Sequence, residues 1–502
     1  MSSRLGIGLA WGFFASVIAW CETPELPTHP HRLQFSEERI RLPTVTGRRI
    51  QLTSGPVVFL AEDHSLPLVE ISLALPVGSF LDPSEGVGLS YLTATQIRRG
   101  GAGDLDADRF DDRADFLGVR LHTMSGSTRS GATLSVPSWA LTDGLDLLFA
   151  MLTQPSFQQD RLAVSRSNLL ESLTRRNEDP LEVLEREWAW LMVGEDHFTT
   201  RLMTGASLEN LDRRSLVEFH RDHWRPDRMV LAVSGDFHRQ TLLSSLESRF
   251  IAWPRPDRNE SPSGWPPPAP QATAPPGLYH YEMDTPQAKV VLGHRLDRAL
   301  AWSDPDRWTL AVLGEILGGR GAISRIAGRL RTAEGLVYRT STEVHPGELW
   351  PGELKIFFES RGESVVRAIT STIEELERIR SEGVHPTELS VVEQTLLARL
   401  RLDFDTAEEI AGYFAEDELL DRSPSYWQGY MEGIGGVTIA EVQEAAIEYL
   451  QPTSLLFLVV GRWQEISPTG SPGRSPLEKL VGHHKTSLKS RDPITLETRP
   501  VP

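Results

Sequence analysis

The sequence predicts an α+β protein built from two homologous domains, each a mixed β-sheet packed with helices. Two observations carry this: one plan of strands and helices occurs twice along the chain, and a Pro-dense stretch separates the two occurrences. A third makes it physically reasonable. At 502 residues the chain exceeds what one core comfortably fills, and its 40% hydrophobic and 24% charged composition, with 13 Trp, is that of a folded protein.

The chain opens with Arg4 followed by an uncharged run from Leu5 to Trp20, which reads as an export signal over residues 1–21. The run is too short and Gly-rich for a comfortable spanning helix. Cys21, the only cysteine, ends it where a bacterial lipoprotein signal places its acylated residue, although Trp20 departs from the small residue expected there. Three readings stay open: lipid anchoring through Cys21, ordinary secretion, and an uncleaved anchor. All imply an exported protein of the periplasm or cell envelope, touching membrane only through this N-terminus. With one cysteine, no intrachain disulfide contributes to stability. Residues 22–32 read as a linker.

The first domain is expected over residues 33–252. It has β-like runs at Pro56 to Ala61 and Val69 to Leu75, then amphipathic helices, and closes on a buried-strand pattern from Met229 to Ser234. Residues 253–277, WPRPDRNESPSGWPPPAPQATAPPG, are too rich in Pro to continue a helix or sheet and form a stiff linker. The second domain, 278–463, repeats the plan, with a β-like run at Lys289 to Leu292 and a closing strand at Ser454 to Val460. Both closing strands follow a helix and a Pro (Pro226, Pro452) and lead to a Gly (Gly235, Gly461). Such a repeat indicates duplication. Residues 464–502 turn Pro-, Ser- and Lys-rich without periodicity and are expected to be a tail.

Asp plus Glu exceed Lys plus Arg by 69 to 51, a net charge of −18, which argues against a nucleic-acid binder. The acids are scattered through helices, as on a solvated surface, although acidic walls could attract basic peptides.

The first domain holds an ordered frame: Leu75 to Ser79 ending in a Gly-Ser turn, a helix opening at Gly88-Leu89, and the loop Arg98 to Gly101. Downstream come Phe116 to Leu121, Gln154 to Phe157, Asn177 to Pro180, and Phe219 to Pro226. In the second domain, Ile316 to Ile326 leads into Leu330 to Tyr338. Their order and spacing resemble the insulinase/pitrilysin (inverzincin) family of zinc peptidases over nearly the whole mature chain.

In that family the helix carries His-x-x-Glu-His. Aligning on Gly88-Leu89 sets Tyr91 and Thr95 at the two histidines and Ala94 at the glutamate. Catalytic zinc needs about three N or O donors and a carboxylate base for its water. Tyr and Thr are poor ligands and Ala cannot abstract a proton, so no metal site and no catalytic residue are expected in this chain alone. The family's third ligand falls near Leu169 to Ser172; whether Glu171 is its equivalent stays open, and one carboxylate could not hold zinc.

The resemblance implies a non-catalytic subunit, similar to the alpha-type subunit of mitochondrial processing peptidase and the metal-free halves of bacterial two-chain relatives. Each such subunit is half of a clam-shell. The implied partner is a homologue bearing HxxEH and the zinc, and the implied ligand is a peptide held by strand addition. Arg331 and Tyr338 match an Arg/Tyr pair that reaches toward the partner's metal to hold peptide or oxyanion. A guanidinium and a phenol are suited to this. The alternative for these residues pairs Arg331 with Glu334 and buries the Tyr338 ring.

Other candidates read as structural. His220 and His223 could share a helix face but stand where the family has aromatics before a Pro. His483-His484, His29 and His31 lie in polar or Pro-rich runs. No Gly-x-Ser-x-Gly elbow occurs in a plausible setting, and Gly318 to Gly321 lacks the Lys-Ser/Thr of a phosphate loop. Two rivals remain: a structural or binding subunit with no proteolytic role, and a stand-alone hydrolase with an unrecognised site.

Overall fold

Two six-stranded sheets stand on either side of the Pro-rich stretch in a computed structural model that describes residues 42–254, 266–271, 274–319, 324–468 and 474–498. Cys21, His29, His31 and Gly321 lie outside the described residues.

The first sheet contains β1 (Arg49–Gln51), β2 (Val57–Glu62), β3 (Leu68–Leu75), β4 (Arg120–Ser125), β5 (Ser130–Pro137) and β6 (Val230–Gly235), in the order β1-β2-β6-β3-β5-β4. The second contains β7 (Gly277–Glu282), β8 (Ala288–Arg295), β9 (Val337–His345), β10 (Glu353–Ser360), β11 (Leu456–Gly461) and β12 (Lys485–Ser487), ordered β12-β7-β11-β8-β10-β9. The closing strands do not sit at an edge. Each is inserted between the first two long strands of its half, parallel to one and antiparallel to the other. Central position explains their unbroken apolar runs, because a strand covered on both faces has no polar side.

The described residues of 464–502, a stretch expected to be a tail, are built into the fold. They carry the helix Pro476–Val481, opened by a capping box of Ser475 and Glu478, and β12, which pairs in parallel with β7. Three polar residues, half-buried Lys485 and exposed Thr486 and Ser487, offer no alternation from which a strand can be read. Beyond β12 the chain returns to the first half: Asn177 Nδ2 donates to the Arg491 carbonyl at 2.8 Å, and Arg491 pairs with Glu195 at 2.5 Å.

Each half also lends a helix to the other's sheet. The helix Pro180–Val193, capped by Asp179 with Pro at its first turn, covers a face of the second sheet, where Val183, Leu184 and Trp188 meet Val291, Leu458 and Val460. Reciprocally, the helix Ala407–Leu419, opened by a Thr406/Glu409 capping box, brings Ala411, Phe414 and Ala415 onto Phe59, Val230 and Ala232 of the first. A separate core on the other face of each sheet completes the layers. The exchange makes one compact unit from Leu42 onward, with two internal sheets in place of two loosely tethered domains. No helix among the described residues is long and apolar enough to cross a membrane.

Candidate functional site

The helix Leu89–Arg99 starts at Gly88, whose φ of 103° lies in the left-handed region that glycine adopts without a Cβ penalty. Its first turn is satisfied from outside. Buried Asp82 accepts from the Gly88 N–H at 2.9 Å and the Ser90 N–H at 2.8 Å. Burial raises the Asp82 carboxyl, and these two backbone donors oppose the rise. Leu89, Leu92 and Ile97 anchor the inner face in the core.

The outer face carries the three substituted positions. Tyr91 is exposed, Ala94 is buried, and the Thr95 hydroxyl donates to the Tyr91 carbonyl at 2.9 Å, within its own helix. Beside them, the Thr123 hydroxyl of edge strand β4 donates to the Ala94 carbonyl at 2.6 Å. A pocket of about 450 Å³ opens here, lined by all three positions, by β4, and by Ser165, Asn168, Leu169 and Ser172 of the helix Gln159–Thr174.

This set does not fit zinc. One donor is a phenol, one a hydroxyl engaged with its own backbone, and the base position is a methyl. Among the described residues no group of three or more His, Cys, Asp or Glu side chains is placed to hold a metal ion. Glu171 is not brought to the pocket; it is exposed and pairs with Arg175 one turn along at 3.4 Å. Ser172, its neighbour, lines the pocket instead. Ser165, Asn168 and Ser172 follow helical spacing, so a period-3.6 reading of that helix was the available signal for them.

Arg331 and Tyr338 lie elsewhere, around the turn between the helical segment Gly328–Ala333 and β9, and neither lines the pocket at Tyr91. The Arg331–Glu334 pair of the alternative reading does not form. Glu334 accepts instead from Arg367 at 2.7 Å, from Arg329 at 2.9 Å and from the Ser371 hydroxyl at 2.9 Å, and these donors, Arg367 foremost, hold its carboxyl down at about 2. Arg331 is left exposed with no ion pair or hydrogen bond among the described residues, and the Tyr338 side chain is 86% exposed at the start of an edge strand. Neither half of the structural alternative for this pair holds.

The histidine candidates are structural. His220 is half-buried beside Phe157 and Trp224, and its Nε2 is 2.8 Å from the Leu152 carbonyl; desolvation of the ring pushes it down to about 4. His223 packs on Phe219 and is lowered by burial. His484 is exposed, with its ring 3.3 Å from Arg474.

A family model described as the peptidase M16 inactive domain matches residues 210–396. An uncharacterized zinc protease of Mycobacterium tuberculosis is 25% identical over 340 residues, 66% of this chain and 74% of its own length. The beta subunit of the mitochondrial-processing peptidase of Dictyostelium discoideum is 21% identical over 427 residues, 82% of this chain and 88% of that one. Among solved structures, the first half of the periplasmic protease PqqL of Escherichia coli superposes with a TM-score of 0.70 at 15% identity, covering 88% of this chain and 97% of that one. Against the whole of PqqL the match spans only 49% of the longer protein. Fold, ordered motifs and these relatives agree in their likeness to the insulinase/pitrilysin (M16) family, while the helix Leu89–Arg99 carries no His-x-x-Glu-His.

Proposed function

We propose that this chain is the metal-free subunit of a two-subunit peptidase, pairing with an HxxEH-bearing homologue that supplies the zinc. The observation that carries the reading is a split of equipment. Tyr91, Ala94 and Thr95 cannot serve chemistry, yet Arg331 and Tyr338 are exposed and uncommitted where a pure scaffold has no use for both. Neither lines this chain's own pocket, so a role for them is sought in another subunit. The likeness to the first half of a longer protease supports the same view, since this chain spans 49% of that protein. In this reading the Arg331 guanidinium holds a peptide carbonyl and the Tyr338 phenol donates to the oxyanion, while the partner does the bond breaking. The peptide lies extended between the subunits, held by strand addition.

The remaining expectations belong to this proposal. Residues 33–252 and 278–463 are the duplicated units with 253–277 between them. The protein is exported through residues 1–21, in keeping with the periplasmic location in the PqqL name, with Cys21 as the candidate for lipidation.

The test is cleavage of an unstructured peptide library by this chain alone, by a co-expressed HxxEH homologue alone, and by both, each with zinc and with chelator. Turnover is expected only, or at least tenfold faster, in the zinc-bearing mixture. A complex that forms and adds nothing to the partner's rate establishes the structural-subunit reading. Cleavage by the metal-stripped single chain establishes an independent hydrolase.

A further inference from the structure

The pocket at Tyr91, Ala94 and Thr95 has a charge character opposite to that of the chain. Net charge is −18, yet among the described residues no Asp or Glu lines this pocket, while Arg98 and Arg99 do. Contrast a second cleft, of about 660 Å³, lined by Glu70, Glu408, Glu409 and Glu416. Asp111 offsets the charge of Arg98, so the field offered to an anion in the first pocket is that of Arg99, beside low-dielectric walls that strengthen it.

The two arginines differ. Arg98 is fixed: its Nε donates to the Leu121 carbonyl at 2.9 Å, its Nη1 to Asp111 at 2.6 Å, and its guanidinium lies 5.5 Å from the Phe110 ring centre. Arg99 is exposed and has no ion pair or hydrogen bond among the described residues. Its planar fork is therefore available to a carboxylate, which it can bind through two parallel hydrogen bonds. Asn168 and the Tyr91 phenol add neutral donors to the lining, while the Ser172 hydroxyl is engaged with the Leu169 carbonyl at 2.7 Å.

The pocket adjoins an open sheet edge. Strand β4 pairs with β5 on one side only, and His122 to Ser125 of β4 line the pocket. An unpaired edge accepts an extended chain through backbone hydrogen bonds, whereas a free small anion gains nothing from it.

We infer that this pocket is a recognition site for a peptide carboxylate, with an extended peptide lying along β4 and its acidic group held by Arg99. The inference rests on the peptide-holding part of the proposed function and specifies its substrate class: segments with a chain-terminal carboxylate or an acidic side chain, in preference to neutral or basic ones. The helix that bears metal chemistry in active relatives becomes, here, a charge filter.

The experiment is fluorescence anisotropy with the full chain and four labelled nine-residue peptides of one neutral, extended sequence. One is amidated, one has a free C-terminal carboxylate, one is amidated with a central Asp, and one is amidated with a central Lys. At least one acidic peptide binds about tenfold tighter than the neutral one at low salt, and which one identifies the source of the carboxylate. Arg99→Gln abolishes that preference, Arg99→Glu transfers it to the Lys peptide, and Arg361→Gln on the second half changes nothing. Arg99 is exposed, so these variants keep the fold. Equal binding of acidic and neutral peptides, or an acidic preference that survives Arg99→Gln, overturns the carboxylate assignment and leaves peptide holding intact. No binding of any peptide overturns both the assignment and the peptide-holding role on which it rests.

Discussion

The two halves run the same chain path and treat its central helix in opposite ways. In the first half the helix Leu89–Arg99 packs on β4 with one face and opens to the pocket with the other. In the second half the corresponding helix, Asp306–Gly318, packs against β9 and is surrounded by further helices, with Leu310, Val312, Leu313, Ile316 and Leu317 all buried. It approaches β9 so closely that a Cβ on Gly318 would lie 2.0 Å from the Thr342 Cβ. One copy keeps an open pocket along its helix, and the other spends the same helix on packing. The difference teaches that loss of metal ligands did not close the first site: the pocket persists with altered chemistry.

The largest effect that would sharpen this contrast is at the packed helix. Gly318→Val should destabilise by about 3 kcal/mol or more, because neither helix nor strand can yield 2 Å without losing contacts, while Thr95→Val on the open helix should stay within about 0.5 kcal/mol. Urea unfolding of both variants checks this. Similar losses at the two sites would break the comparison.

Next is the start of the open helix. Asp82→Ala leaves the buried Gly88 and Ser90 N–H groups without their acceptor and should cost about 1 to 3 kcal/mol. Protection of these amides in hydrogen exchange should fall before global unfolding.

A pH effect follows from His220. Its folded pKa, about 4, lies below the ordinary value of 6.5, so between those values the unfolded chain binds a proton that the native chain does not. Stability is then full above pH 6.5 and falls as pH drops toward 4, by about 2 kcal/mol at pH 5 from this group. His220→Phe, which keeps an aromatic ring, should flatten the unfolding free energy between pH 7 and pH 5 by that amount. An unchanged pH slope would show that His220 is not the group responsible.

What was legible in the sequence and what was not follows a physical line. The closing strands Val230–Gly235 and Leu456–Gly461 are buried on both faces, so burial writes itself into continuous apolar runs. The substituted helix was legible because Gly88-Leu89 fixes its start and three positions carry the chemistry. Edge strand β12 was not, because three polar residues with solvent on the outside carry no pattern. Nor was the exchange of helices Pro180–Val193 and Ala407–Leu419 between halves, since amphipathicity shows that a helix covers something apolar and not whose sheet it covers. Glu334 was set beside Arg331 by sequence proximity, yet Arg329, Arg367 and Ser371 reach it first through the fold. Arg99, read in the sequence as part of a loop, ends the helix Leu89–Arg99, and it gained meaning only when no Asp or Glu was found among the described residues lining the pocket.

The most direct test of the central claim, that this chain completes a site in another subunit, is the turnover of the reconstituted pair with Arg331→Ala and Tyr338→Phe combined. Complex formation is followed in the same samples by light scattering. The account predicts an intact, zinc-loaded complex whose kcat/KM falls by about 100-fold, the scale of losing an oxyanion donor. An intact complex with unchanged turnover would contradict it.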